Sequence, residues 1–384
     1  MLTKIGFYLS LIIILASCNT KKQEQNMTDT ISKDSLYLLV GTYTKGLNTG
    51  IYVYGFNTTT GEAGYINEIK NIEDPSYLVV SPDEKHIYAV KESDSEEDGV
   101  YAFSFNKENG ELTLINSQET NGKAPCYINM DKNKNFVVTA NYNGGSITVF
   151  PLAKDGSLQS SSQLIQFAGS GIDKIRQTTA HLHCVQFSPD GKYLFADDLG
   201  TDRIYKFAVN EKDSSAFLTP EAPFSFKVKD GCGPRHLVFH PNGKYAYLIT
   251  ELSGEVLAFN YHDGNLENIQ YIEADSVHAA GSGDIHISPD GKYLYASNRL
   301  QADGIAIFSI NEKDGKLMKI GYQLTGIHPR NFIITPNGKY LLVANRDSNN
   351  IQIFERNMES GLLTNTGKEI KLSMPVCLKF VGME

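Results

Sequence analysis

The sequence predicts an all-β protein, a seven-bladed β-propeller whose ring is closed by pairing of the N- and C-terminal strands in one blade. Four observations carry this. A strand-like heptapeptide recurs seven times, as YLLVGTY at Tyr37, HIYAVKE at His86, FVVTANY at Phe136, YLFADDL at Tyr193, YAYLITE at Tyr245, YLYASNR at Tyr293 and YLLVANR at Tyr340. The copies lie 47 to 57 residues apart with four β-runs each, the period of propeller blades. Six are preceded by a Pro/Asp/Asn turn and a lysine (SPDEK, MDKNK, SPDGK, HPNGK, SPDGK, TPNGK), and the runs are rich in β-branched and aromatic residues with no helical period. Finally, the first copy lacks an innermost strand, whereas Pro375 to Val381 matches the start of a blade, as Pro75 to Ser81 does, and then stops. Joining the two hides edges that would otherwise be exposed.

Taken in chain order, the N-terminal segment is an address. Lys4 precedes an apolar run from Ile5 to Leu15, too short to cross a bilayer core of ~30 Å as a helix, and Leu15-Ala16-Ser17-Cys18 resembles the lipobox of bacterial lipoproteins. The expectation is a signal peptide over residues 1–17, a lipid on Cys18 that anchors the chain to a membrane, and a polar tether over 18–35. Asn19 after the cysteine favours the outer membrane, facing the periplasm. Residues 36–384 form one propeller domain, expected to be monomeric.

Composition narrows the function. With 35 Lys+Arg against 44 Asp+Glu, a net charge of −9 and no basic run, the chain is no nucleic-acid binder. No GxGxxG or GxxxxGK[ST] occurs, so no cofactor is expected. The five cysteines (Cys18, Cys126, Cys184, Cys232, Cys377) form no CxxC and are too scattered for a disulfide framework. His181, His183, His236 and His286 have no metal-ligand spacing, and no metal is expected.

If each innermost strand runs from one face to the other and the second returns, the start of the first meets the end of the second. Residues 16 apart mark that meeting: Ser76/Glu92, Cys126/Tyr142, His183/Leu199, Arg235/Glu251, Gly283/Arg299 and Arg330/Arg346, with Val376 and Tyr43 across the closure. These positions ring the channel mouth, with His236, Asp284 and Asn331 next in line. Arg235 and Glu251 form a strand-joining ion pair or a functional one. Arg330 and Arg346 fall side by side, a costly arrangement unless an anion lies between them or a carboxylate arrives from another blade.

The segments GPRHLVFHPNGK with TEL, AHLHCVQFSPDGKYLF, SPDGKYLYASNR and HPRNFIITPNGKYLLVAN resemble the lactonase family of seven-bladed propellers, which includes bacterial propeller-type 6-phosphogluconolactonases and, as relatives, fungal carboxymuconate cyclases. The likeness runs over the whole chain from about Leu36. It implies hydrolysis of a small anionic sugar lactone, with His183, Arg235, Glu251 and Arg299 as catalytic residues. In that reading neutral His183 takes a proton from water, Arg235 and Arg299 face the oxyanion, and Glu251 orients Arg235. His236, Asp284, Arg330 and Arg346 are the expected substrate-binding residues. The alternatives are a non-catalytic envelope binding propeller and a lactone-forming cyclase or isomerase using the same side chains.

Overall fold

The computed structural model describes residues 34–45, 49–93 and 98–383. The expected signal peptide, Cys18 and nearly all of the tether lie outside them. The described residues form seven four-stranded antiparallel sheets. The only helix among them is a single 3₁₀ turn, Ser214–Ala216.

Blade one combines the two ends of the chain, Pro375–Gly382 pairing with Ser35–Thr42, followed by Gly50–Asn57 and Ala63–Lys70. Blades two to seven are continuous in sequence, with innermost strands Leu78–Val80, Pro125–Met130, Leu182–Phe187, Pro234–Phe239, Ser282–Ile287 and Pro329–Ile334. These seven strands touch one another in a closed ring. The second strand of each blade is almost wholly buried on both faces, as in Tyr245–Thr250 and Tyr340–Asn345, which explains why the repeated heptapeptides read as continuous apolar runs.

Four innermost strands begin with proline, at positions 125, 234, 329 and 375, and in blade two Pro75 lies three residues before the strand start at Leu78. Proline suits a strand start because it has no N–H to give to the ladder. The residue before each proline is left-handed: Asp74, Ala124, Gly233, His328 and Met374 have φ between 38° and 66°. One residue beyond the strand start, the ladder slips. A bulge leaves Cys126, His183, Arg235, Arg330 and Val376 unpaired in five blades, and Gly283 with Asp284 in a sixth. A bulge inserts an extra residue and re-aims its side chain. All these residues stand at the same end of the ring, here called the mouth.

Candidate active site

The backbone ladder differs from the residue pairing expected at the mouth. Pro234 stands opposite Thr250, and Glu251 N donates to Gly233 O at 2.8 Å. Arg235 nevertheless meets Glu251, because the bulge frees its side chain to turn across the strand end. Its Nε donates to Glu251 Oε2 at 2.9 Å and its Nη1 to Gly283 O at 2.7 Å. Arg235 is one of the largest fully buried side chains, and the hydrogen bonds it makes to described residues run through Nε and Nη1, the latter also meeting His236 Nε2 at 3.1 Å.

Glu251 is the hub of one half of the mouth. Arg299 Nη2 lies 3.2 Å from the same Oε2, and Arg299 is fixed by donating to the carbonyls of Gly281 (2.7 Å) and Ser282 (2.9 Å). Arg176 Nη2 donates to Glu251 Oε1 at 2.6 Å. Arg176 was not among the sequence candidates. It comes from the long connection between the outermost strand of blade three, Gln163–Gln166, and the start of blade four, outside the repeat pattern that located the others. Burial alone would raise the Glu251 carboxyl, but Arg299, Arg235 and Arg176 outweigh it and hold it at about 2.

His183 stands beside this hub, with Nε2 3.8 Å from Glu251 Oε2 and Nδ1 3.8 Å from Cys126 Sγ. Burial, with the charges of Arg235 and Arg330, holds it well below the usual imidazole range, so it is neutral near pH 7. Burial pushes the Cys126 thiol far up, so it stays protonated. His181 does not share this position, because the bulge breaks the alternation; it stacks on Tyr142 and contacts the Tyr142 carbonyl instead. His328, also unmarked by the repeat, is buried with Nε2 3.3 Å from Arg299 Nη1, and burial and Arg299 depress it to about 3.

The expected substrate-binding residues divide. Arg330 and Arg346 do not stand as two bare cations. Arg330 lies 3.7 Å from Glu92, a carboxylate from another blade, and over the Tyr43 ring, whereas Arg346 is bidentate to Asp347 at 2.6 and 2.9 Å. His236 and Asp284 lie one residue deeper. His236 Nδ1 and His286 Nε2 each sit 2.8 Å from an Asp284 oxygen, and Asn331 donates a very short bond to the same carboxylate. Asn331 in turn accepts from Leu378 N in the closing strand. With His236 packed against Tyr127 and Tyr77, this group forms a floor beneath the mouth.

Comparison with known proteins identifies the family and agrees with the fold. The family described as "Lactonase, 7-bladed beta-propeller" matches residues 37–380. A 6-phosphogluconolactonase of Formosa agariphila is 45% identical over 87% of this chain and 96% of its own length. A crystal structure from Bacteroides fragilis, provisionally named 6-phosphogluconolactonase, is 57% identical, covers 91% of this chain and 98% of its own, and has a TM-score of 0.89. The periplasmic gluconolactonase PpgL of Pseudomonas aeruginosa is 31% identical over 91% of this chain and 100% of its own, with a TM-score of 0.87. The chain belongs to the lactonase family of seven-bladed β-propellers.

Proposed function

We propose that the protein hydrolyses a sugar lactone, of the 6-phosphogluconolactone type, at the mouth of the ring. The observation that carries this reading is Arg235: a buried guanidinium held at the mouth through Nε by Glu251 and through Nη1 by the Gly283 carbonyl, its Nη2 taking no part in these bonds. A preorganised donor of this kind suits the oxyanion that forms when water adds to the lactone carbonyl, and one such donor supplies ~10²–10³ in rate. Arg299, on the same carboxylate oxygen, is the second donor. Neutral His183 takes the proton of the attacking water, and Glu251 keeps both arginines in place. Two further cations, Arg330 and Arg346, bring the guanidinium groups around the mouth to five, against the three carboxyl groups of Glu251, Glu92 and Asp347. That excess favours an anionic substrate. His236 and Asp284 support the substrate from the floor. The test is a pH-stat measurement of purified protein against phosphorylated and neutral aldonolactones, and absence of turnover on all of them would sink the reading.

The same proposal includes a location. Cys18 carries a lipid that anchors the chain to the outer membrane on its periplasmic side, in keeping with the periplasmic relative. Fractionation of cells making the wild type and Cys18→Ala should find the first in membranes and the second in the soluble fraction. Wild type released without detergent would refute the anchor.

A further inference from the structure

Blade two stands opposite blade five in the ring, and there Glu92 has surroundings unlike those of Glu251. Every partner of its side chain meets one oxygen. Ser76 Oγ donates to Oε2 in a very short hydrogen bond, Tyr43 Oη donates to it at 3.1 Å, and Arg330 Nη2 lies 3.7 Å away. Oε1 accepts nothing from any described residue, and the side chain is 17% exposed. The holders come from blades two, one and seven, and Arg330 is itself seated over the Tyr43 ring at 5.3 Å. A carboxyl gripped in this way keeps its orientation in either protonation state. Because Oε2 is occupied by donors, a proton on Glu92 sits on Oε1.

We propose that Glu92 Oε1 is the proton donor to the ring oxygen that departs when the lactone opens. The proposal rests on the lactonase reading and adds the step that reading lacks. Water adds to the lactone carbonyl carbon while its proton passes to His183, and the oxyanion forms against Arg235 and Arg299. As the carbonyl re-forms, the bond from that carbon to the ring oxygen breaks and its electron pair stays on the oxygen. Glu92 gives that oxygen its proton, so it leaves as a hydroxyl. The proton held by His183 then restores Glu92 through solvent, and the product acid ionises in water.

The surroundings suit a donor. Burial raises the Glu92 carboxyl above its ordinary value, opposed by Arg330, Ser76 and Tyr43 and assisted by Asp74, with the protonated Cys126 also nearby. Glu251, among its arginines, is driven the other way. Two carboxyls in one site with acidities pushed apart are fitted to different roles.

A leaving-group comparison on the full chain tests this. An aldonolactone expels an alkoxide that needs a proton, whereas the aryl lactone dihydrocoumarin expels a phenolate that does not. Glu92→Gln should lower kcat on the aldonolactone by ~10² and on dihydrocoumarin by less than ~3-fold, with unchanged melting. Glu92→Asp should recover part of the loss. The basic limb of the wild-type kcat profile should be missing in Glu92→Gln. Equal losses on both substrates would mark Glu92 as merely structural, and no loss on the aldonolactone would also overturn the proposal. Arg235→Ala separates the two levels: if it lowers both substrates while Glu92→Gln lowers neither, only the donor role fails. If neither variant affects aldonolactone hydrolysis, the lactonase site itself is misplaced.

Discussion

Glu251 serves three arginines from three parts of the chain with two oxygens, so neutralising it leaves Arg235 and Arg299 buried without compensation. Breaking a buried pair in this way costs about 3 kcal/mol. Glu251→Gln should therefore lower both thermal stability and kcat/KM, the latter at least ~10-fold as the oxyanion donors lose their common anchor. The stability loss should depend on acidity. The folded carboxyl sits at about 2 against an ordinary 4.5, so its contribution is complete above pH 4.5 and fades as the pH falls toward 2. The melting difference between wild type and Glu251→Gln should shrink across that window. His236 acts at a higher one. Burial and Arg235 hold it at about 3, despite Asp284, against an ordinary 6.5; stability is then complete above pH 6.5 and lost progressively below it. His236→Asn should flatten part of the slope of melting temperature between pH 6.5 and 4.5, where Glu251 does not yet titrate. Arg235→Lys isolates shape from charge. Lysine keeps the cation but lacks the planar fork that serves Glu251, the Gly283 carbonyl and a ligand at once, so kcat should fall ~10² in a pH-stat assay.

At the scale of the strand, chemistry is delivered by the bulge. Gly233 turns the chain into its innermost strand at φ 66°, and a Cβ there would come within 2.6 Å of Leu252 Cγ. Gly233→Ala should cost more than ~1 kcal/mol in denaturant unfolding and should displace Arg235, lowering activity beyond what the melting change explains. The bulge also sets what could be read from sequence. The blade starts, the second strands and the closure were legible because seven copies repeat one burial pattern. The mouth residues were legible because their places repeat with it. The bulge was not, since it is a slip of the ladder with no residue type of its own, and so of the pairs expected at residues 16 apart Arg235/Glu251 and Ser76/Glu92 meet through their side chains while the backbone partners differ, and Arg330/Arg346 do not meet. Arg176 was hidden for the opposite reason, belonging to a connection that occurs once. The pairing of Arg346 with its own neighbour Asp347 is a local side-chain choice that the register does not address.

For the whole molecule, the ring depends on its final strand. Removing Met374 to Glu384 uncovers the edge of Ser35–Thr42, takes away the acceptor relation between Leu378 and Asn331, and leaves blade one with three strands. That truncation should aggregate or melt far below the intact chain, whereas deletion of residues 19–33 should leave the melting temperature unchanged. Equal melting of the C-terminal truncation and the full chain would contradict the closure. The direction of the pairing strand has a further result. Ser35–Thr42 runs from the far face toward the mouth, where Tyr43 reaches Glu92, so Asp34 leaves the ring on the face opposite the site. The segment that would join a lipid at Cys18, as proposed, to the ring therefore enters it from that opposite face. The proposed attachment and the proposed substrate entrance thus lie on opposite faces of the ring and do not compete for one surface.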